Sequence, residues 1–187
     1  MDPLHIGDVV EDLNRVGRAT GTEAKAAEIT SGLTARIEAI TERAKDADNH
    51  PSVLHVEWAD PVMCGGHWVV EMVELAGGMP LFGDKTMGSQ ILSWEQVYQS
   101  DPDIILVIPC GFNLERSIKD LNVLSDNKGW DELSAVKNDR LFVLDAASYT
   151  SRLGPRLITG LEIMAQLIHP ELFSGCIPSG ALKQILH

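Results

Sequence analysis

Two stripes of apolar residues at helical spacing open the chain. The first consists of Val9, Leu13 and Val16 and stops at Gly17 or Gly21. The second recurs at Ala26, Ile29, Leu33, Ile37 and Ile40, in steps of three and four that place all five side chains on one helix face. With Thr22 as a plausible N-cap, the pattern predicts a long helix over residues 22–47, about 39 Å at ~1.5 Å per residue. We expect it to lie as a strut along a sheet domain.

From residue 53 onward, short apolar runs alternate with helical patterns. The runs predict strands over residues 53–58, 104–108 and 140–144, with a weak short strand near 79–82. The helical patterns cover residues 67–76, 93–100, 113–124 and 155–168. Such alternation is typical of an α/β fold in which helices flank a Rossmann-like parallel sheet. Residues 172–187 are predicted to be irregular or to end in a short helix over 181–186. The chain is therefore divided into a linker-helix region, 1–50, and an α/β lobe, 51–187.

Several short motifs mark element boundaries. The run Ser93-Trp94-Glu95-Gln96 fits a capping box at a helix start. Gly154-Pro155 places a proline at the first helical position of the last helix. Asp60-Pro61 is a turn signal directly after the first strand.

The loops that follow the strands contain the candidate binding residues. In an open parallel sheet, ligands lie outside the carboxyl ends of the strands. His67 could bind a cofactor metal as an axial ligand or only donate a hydrogen bond, while Trp68 and Met63 could line a cleft or pack against the core. Tyr149 and Arg152 follow the last strand, where an arginine could reach an acidic group of a ligand.

Composition and charge exclude several classes of partner. The chain has 187 residues and a formal net charge of −12, from 15 Lys and Arg against 27 Asp and Glu. This charge argues against binding to nucleic acid or to an anionic membrane surface. No apolar run approaches the roughly 20 residues of a membrane span. The N-terminus has no signal-peptide pattern, which predicts a cytoplasmic location if Met1 is the true start.

The cysteines and glycines do not form a recognisable catalytic or metal motif. Cys64, Cys110 and Cys176 are an odd, widely spaced set and do not indicate a disulfide framework. Cys64-Gly65-Gly66-His67 offers two ligands, whereas zinc takes three or four. The nucleotide-binding glycine motifs and the GxSxG elbow are missing from the sequence. Cys110 follows a strand as catalytic thiols do, so a small α/β enzyme using Cys110 or the His67 region stays an alternative, although we expect no enzyme activity.

Four segments together resemble the substrate-binding proteins of ABC importers for vitamin B12 and related metal chelates. These segments are Gly7–Gly21 before the long helix, Glu57–Pro61 with Gly66–Gly78, Ser93–Val97 with Asp101–Ile105 and Pro109–Phe112, and finally Tyr149–Arg156. The motifs Leu75-Ala76-Gly77-Gly78 and Pro102-Asp103-Ile104-Ile105 are shared with siderophore and haem receptors. The segments Trp58–Pro61 and Pro109–Phe112 look most like the cobalamin-binding branch.

The resemblance implies a non-enzymatic transport role. It implies a lobe of a two-lobe receptor in which cobalamin or another corrinoid is bound between the lobes, with no further cofactor. The residues that would line the corrinoid side are Asp60, Met63, His67, Trp68, Gly111, Phe112, Tyr149 and Arg152. Glu95 matches the acidic residue with which such a lobe docks onto the membrane permease. The location implied is the periplasm or the cell surface.

The sequence departs from this family pattern in one large respect. An N-terminal lobe on the order of 100 residues has no counterpart here, so the chain is expected to hold half of a cleft, and a homodimer through the exposed half-cleft is a further expectation. Haem or a ferric siderophore is the alternative ligand, although only Arg152 and Lys85 offer positive charge. A non-binding interaction module is the remaining alternative.

Overall fold

The computed structural model describes residues 3–187, and two antiparallel helices come first. Helix α1 covers Ile6–Thr20 and α2 covers Glu23–Ala44. Gly21 separates them with a φ of 66°, a left-handed conformation that glycine adopts at low cost. The predicted long helix is thus 22 residues long and ends three residues before residue 47.

The α1–α2 pair packs onto the rest of the molecule. Leu33 and Ile40 of α2 are buried in the same core as residues from the sheet and from the last helix, α8, Arg156–Ile168. Arg36 also binds Glu162 of α8 through two hydrogen bonds of 2.8 and 2.6 Å. The two-part division of the chain at residue 50 stays a prediction.

Within residues 3–187 the strands form one seven-stranded sheet. The strands are β1 (Ser52–Ala59), β2 (Val62–Cys64), β3 (Met79–Pro80), β4 (Gln90–Ile91), β5 (Ile104–Val107), β6 (Leu141–Leu144) and β7 (Leu182–Ile185). Their order is β4-β2-β1-β5-β6-β7, with β3 also paired to β1. The pairs β1–β3, β1–β5 and β5–β6 are parallel, so the predicted α/β class and parallel central sheet are confirmed.

The antiparallel strands were not predicted. β2 and β4 extend the sheet beyond β1, and β7 pairs with β6 at the other side. The predicted irregular or helical end over residues 181–186 is therefore wrong. Without β7, the backbone groups along one side of β6 would lack partners, and an unpaired strand edge is unfavourable. The need for a pairing strand arises from β6, so the short segment Leu182–Ile185 does not by itself indicate a strand.

The remaining helices cover both faces of the sheet. They are α3 (Trp68–Leu75), α4 (Trp94–Ser100), α5 (Leu114–Ser125), α6 (Ser134–Lys137) and α7 (Ala146–Tyr149), with a 3-10 turn at Trp130–Glu132. Helices α1, α2, α3 and α8 bury one apolar cluster, and α5, α6 and the 3-10 turn bury the other. The four predicted helices of the lobe are confirmed, whereas α6, α7 and the 3-10 turn are too short to show a period.

Two of the predicted helix starts can be compared with the caps. Ser93 and Gln96 form the predicted capping box, with the Gln96 N–H donating to Ser93 Oγ at 3.2 Å and the Ser93 N–H to Gln96 Oε1 at 2.9 Å. Pro155 occupies the N-cap of α8 and not its first helical position. Across the described chain, none of the helices combines the length and apolar character needed to cross a membrane.

Candidate functional site

The loops that follow β1, β5 and β6 meet at one side of the sheet. Because these strands are parallel, their carboxyl ends point the same way. We call this surface the carboxyl edge, and it comprises residues 57–68, 108–113 and 145–153. Every ligand-binding residue predicted from the sequence lies on it.

Hydrogen bonds join the three loops of the carboxyl edge. The Gly111 N–H donates to Ser151 Oγ at 2.9 Å, which links the second loop to the third. Trp68 Nε1 donates to the Thr150 carbonyl oxygen at 2.8 Å, which links the first loop to the third. Trp68 is also packed against the main core, so its indole has a structural function. The predicted residues of these loops therefore belong to one connected surface.

An aromatic pair lies at the centre of this surface. The rings of Trp58 and Phe112 are 5.4 Å apart at an interplanar angle of 48°. The guanidinium of Arg116 lies 4.6 Å from the centroid of Phe112, a cation–π distance. Trp58 Nε1 donates to the Asp60 carbonyl oxygen at 3.1 Å, and Trp58 is 39% exposed. The pair therefore presents aromatic surface to the solvent.

His67 has a strained backbone. Its φ is 50° and its ψ −128°, a combination that L-residues rarely adopt. The His67 N–H points at the carbonyl oxygens of Asp84 and Met87, at 3.0 and 3.2 Å. The loop before α3 can approach the Met87 oxygen this closely because Gly66 has no Cβ. A Cβ at that position would lie only 1.9 Å from the Met87 oxygen. The imidazole stacks on Trp68 with 5.9 Å between ring centroids.

A buried histidine supports the first loop from below. His55 is fully buried in β1, and its Nε2 lies 2.9 Å from the Gly65 carbonyl oxygen. Burial lowers the pKa of His55, which keeps the ring neutral. The neutral ring can donate from Nε2 to Gly65, so His55 holds the loop and does not face the solvent.

The other predicted ligand-binding residues differ in exposure. Met63 is half-buried in β2 opposite Ile91 of β4. Tyr149 is half-buried against the core. Its carbonyl oxygen lies close to Gly160, where a Cβ would be only 2.0 Å away, so the backbone of Tyr149 packs directly on α8. Arg152 is exposed and, within residues 3–187, forms no ion pair. Arg152 therefore has no carboxylate partner within the described residues.

The remaining reactive candidate, Cys110, has the wrong acidity for a nucleophile. Burial, followed by the Glu57 carboxylate, raises the pKa of this thiol. A raised pKa keeps the thiol protonated, whereas catalytic thiols are usually activated by a lowered pKa.

Lys85, the second predicted cation, is bonded to Glu74 at 2.7 Å.

The docking candidate lies outside the carboxyl edge. Glu95 is exposed in the first turn of α4, where it accepts a hydrogen bond of 3.0 Å from Gln99 Nε2. Within the part of the chain that the structure describes, no three or more His, Cys, Asp or Glu side chains cluster in a way that could hold a metal ion.

Sequence reasoning missed three residues of this surface: Glu57, Trp58 and Ser151. Glu57 and Trp58 end a predicted strand and fall within a segment of the family resemblance, but neither is among the predicted ligand-binding residues. Ser151 lay inside a named segment, but its bond to Gly111 joins residues 40 positions apart. The available signal for Glu57 was a carboxylate at the end of an otherwise buried strand.

Known proteins share this fold and parts of this sequence. A periplasmic haem-binding protein from Pseudomonas aeruginosa superposes with a TM-score of 0.78 at 20% identity, covering 96% of this chain and 64% of that chain. An uncharacterised ABC transporter substrate-binding lipoprotein, YvrC of Bacillus subtilis, is 28% identical over 177 residues, 92% of this chain and 53% of its own. The vitamin B12-binding protein of Vibrio cholerae is 33% identical over 124 residues, 64% of this chain and 41% of its own.

The chain spans about half the length of the curated relatives that it matches. The model of the periplasmic binding protein family matches residues 5–147. Because this match covers well over half of the chain, the protein belongs to the periplasmic binding protein family.

Proposed function

We propose that this chain is a ligand-binding lobe of an ABC-importer receptor and that its ligand is cobalamin or another corrinoid. The role is binding and not catalysis. The ligand would lie on the carboxyl edge, and the permease would be the membrane partner.

The observation that carries the proposal is an aromatic pair, exposed Trp58 and half-buried Phe112, on a carboxyl edge whose three loops are joined by hydrogen bonds. A flat macrocycle needs a broad apolar surface held in place, and aromatic rings provide large contact areas. Trp58 and Phe112 provide such a surface, while the Arg152 guanidinium is free to bind peripheral polar groups. The similarity to a protein named as vitamin B12-binding supports the choice of corrinoid over other chelates.

His67 is the candidate for a direct contact with cobalt. Its strained backbone is held by two carbonyl oxygens, and strain of this kind is often found at ligand sites. Imidazole nitrogen is a suitable ligand for transition metals. The role of His67 would be that of an axial ligand from the protein side.

Glu95 would be the contact with the permease, and the receptor would act on the outer side of the membrane that carries the importer. Self-association through the carboxyl edge is a further possibility to be measured. Sedimentation of the free and corrinoid-bound chain would detect it, since a ligand that covers this surface should compete with a dimer.

The test is a titration of the purified chain with cyanocobalamin and aquocobalamin, followed by calorimetry and visible absorbance. We expect saturable binding, and a spectral change with aquocobalamin that is lost in His67→Ala. Phe112→Ala should weaken binding about tenfold or more, because it removes a large apolar contact. Tyr98→Ala is the matched control, since it removes an exposed aromatic ring from α4, outside the carboxyl edge.

Two results would contradict the proposal. One is the absence of saturable corrinoid binding at high micromolar concentration. The other is an equal loss of corrinoid affinity in Phe112→Ala and Tyr98→Ala, which would show that the corrinoid does not bind at the carboxyl edge. Haemin, titrated in parallel, reports whether another macrocycle is the preferred ligand.

A further inference from the structure

Glu57 is a carboxylate at the carboxyl edge that the proposed function does not yet use. It is half-buried near the end of β1, next to Trp58 of the aromatic pair. Its carbonyl oxygen accepts a hydrogen bond of 3.2 Å from the Cys110 N–H, which holds it beside the second loop. One carboxylate oxygen accepts a hydrogen bond from the Ser89 hydroxyl. Glu57 therefore belongs to the same surface as the predicted binding residues.

The charge of Glu57 is not neutralised by a neighbouring cation. Among the ion pairs of residues 3–187, none involves Glu57. Two cations of neighbouring segments pair with other carboxylates, Arg116 with Asp120 and Lys85 with Glu74. The Glu57 carboxylate also contributes to the raised pKa of the Cys110 thiol, so its field reaches the neighbouring loop.

A structural role alone does not account for a charged group here. Glu57 anchors the loop that carries Ser89, but a neutral Gln would accept the same hydrogen bond. Keeping an ionised carboxylate half-buried without a cation costs free energy. A carboxylate only accepts hydrogen bonds, so it favours a partner that donates N–H groups and repels a partner that carries a carboxylate.

We infer that Glu57 determines ligand specificity, favouring chelates whose periphery is made of amides and excluding chelates whose periphery carries carboxylates. This inference rests on the proposed function and deepens it. A corrinoid carries amide side chains, whereas haem carries carboxylates. Glu57 would thus separate two flat macrocycles that the aromatic pair by itself would accept equally.

The experiment compares cyanocobalamin with its monocarboxylic acids, in which one peripheral amide is replaced by a carboxylate. Each is titrated against the unaltered chain, Glu57→Gln, Ser89→Ala and Glu28→Gln. Glu28 is exposed on α2, so Glu28→Gln changes the net charge equally but far from the carboxyl edge. Ser89→Ala removes the anchoring hydrogen bond and keeps the carboxylate charge.

For the unaltered chain, we expect at least one monocarboxylic acid to bind about tenfold more weakly than cyanocobalamin. Glu57→Gln should reduce that ratio to near one, while Ser89→Ala and Glu28→Gln keep it. An unchanged ratio in Glu57→Gln would overturn the inference and leave the proposed function intact. Equal effects of Glu57→Gln and Ser89→Ala would also overturn it, because they would show a role in holding the loop. Failure of every corrinoid to bind would overturn the proposed function and this inference with it.

Discussion

The two ends of the parallel strands use polar side chains in different ways. At the amino end, Asp103 accepts hydrogen bonds from the Ser52 N–H and hydroxyl at 2.7 and 2.6 Å. Asp101 accepts in the same way from the N–H and hydroxyl of Ser134, at 2.7 and 2.8 Å. These carboxylates are bonded to the backbone of neighbouring segments. At the carboxyl edge, Glu57 and Arg152 have no ion pair within residues 3–187.

The amino end also contains a groove. Its volume is about 570 Å³, and it is lined by Asn49, His50, Pro51, Asp103, Asn138 and Arg140. Some of these groups are already bonded: Arg140 Nη2 donates to the Leu167 carbonyl oxygen at 2.9 Å, and His50 Nδ1 lies 2.8 Å from the Gly77 oxygen. The buried Nε of Arg140, in contrast, has no hydrogen-bond partner among the described residues. The comparison teaches that the carboxylates of the amino end hold neighbouring segments together through hydrogen bonds, whereas Glu57 and Arg152 of the carboxyl edge form no ion pair within residues 3–187.

The largest expected effect concerns the close approach of backbone at the carboxyl edge. In Gly66→Ala, the new Cβ would lie 1.9 Å from the Met87 oxygen, so the two loops that contain these residues must separate. We expect a loss of about 3 kcal/mol in the free energy of unfolding, measured by urea denaturation. Gly88→Ala, which meets no atom closer than 3.8 Å, is the control and should cost far less. Equal losses would show that this loop is not tightly packed.

The second expected effect tests the amino end directly. Asp103→Ala removes the acceptor of two hydrogen bonds and leaves the buried Ser52 N–H without a partner. We expect a loss of about 2 kcal/mol in the free energy of unfolding. Glu57→Gln, near the end of β1 opposite to Ser52, should change the free energy of unfolding by less than about 0.5 kcal/mol. A larger loss for Glu57→Gln would reverse the proposed division between stabilising and binding carboxylates.

The smallest effect concerns the strain at His67. Glycine adopts a φ of 50° with a ψ of −128° far more readily than an L-residue, whereas alanine does not. His67→Gly should therefore have a free energy of unfolding about 1 kcal/mol higher than that of His67→Ala, measured by thermal and urea denaturation of the two variants. Equal free energies of unfolding would show that the backbone of His67 is not strained.

Prediction and structure agree where an element depends on residues close in sequence, and they differ where it depends on distant residues. The strands β1, β5 and β6 and the helix over residues 155–168 are predicted correctly because apolar periodicity is a local property. The apolar side chains of that helix at Leu157, Leu161, Met164 and Ile168 are all buried. The antiparallel strands β2, β4 and β7 are not predicted because their pairing depends on a partner strand. The roles of the eight predicted ligand-binding residues stay predictions, although all eight lie on one surface.

The sequence by itself determined the alternation of strands and helices and the loops that end at the carboxyl edge. It did so because side-chain periodicity and turn residues act over a few positions. Only the tertiary structure decided which polar groups remain available. Asp103 and Glu57 are both carboxylates near strand ends, but Asp103 accepts two hydrogen bonds from Ser52, 51 positions away, whereas Glu57 accepts one from the Ser89 hydroxyl. That difference arises from distant segments meeting in space, which local sequence pattern does not encode.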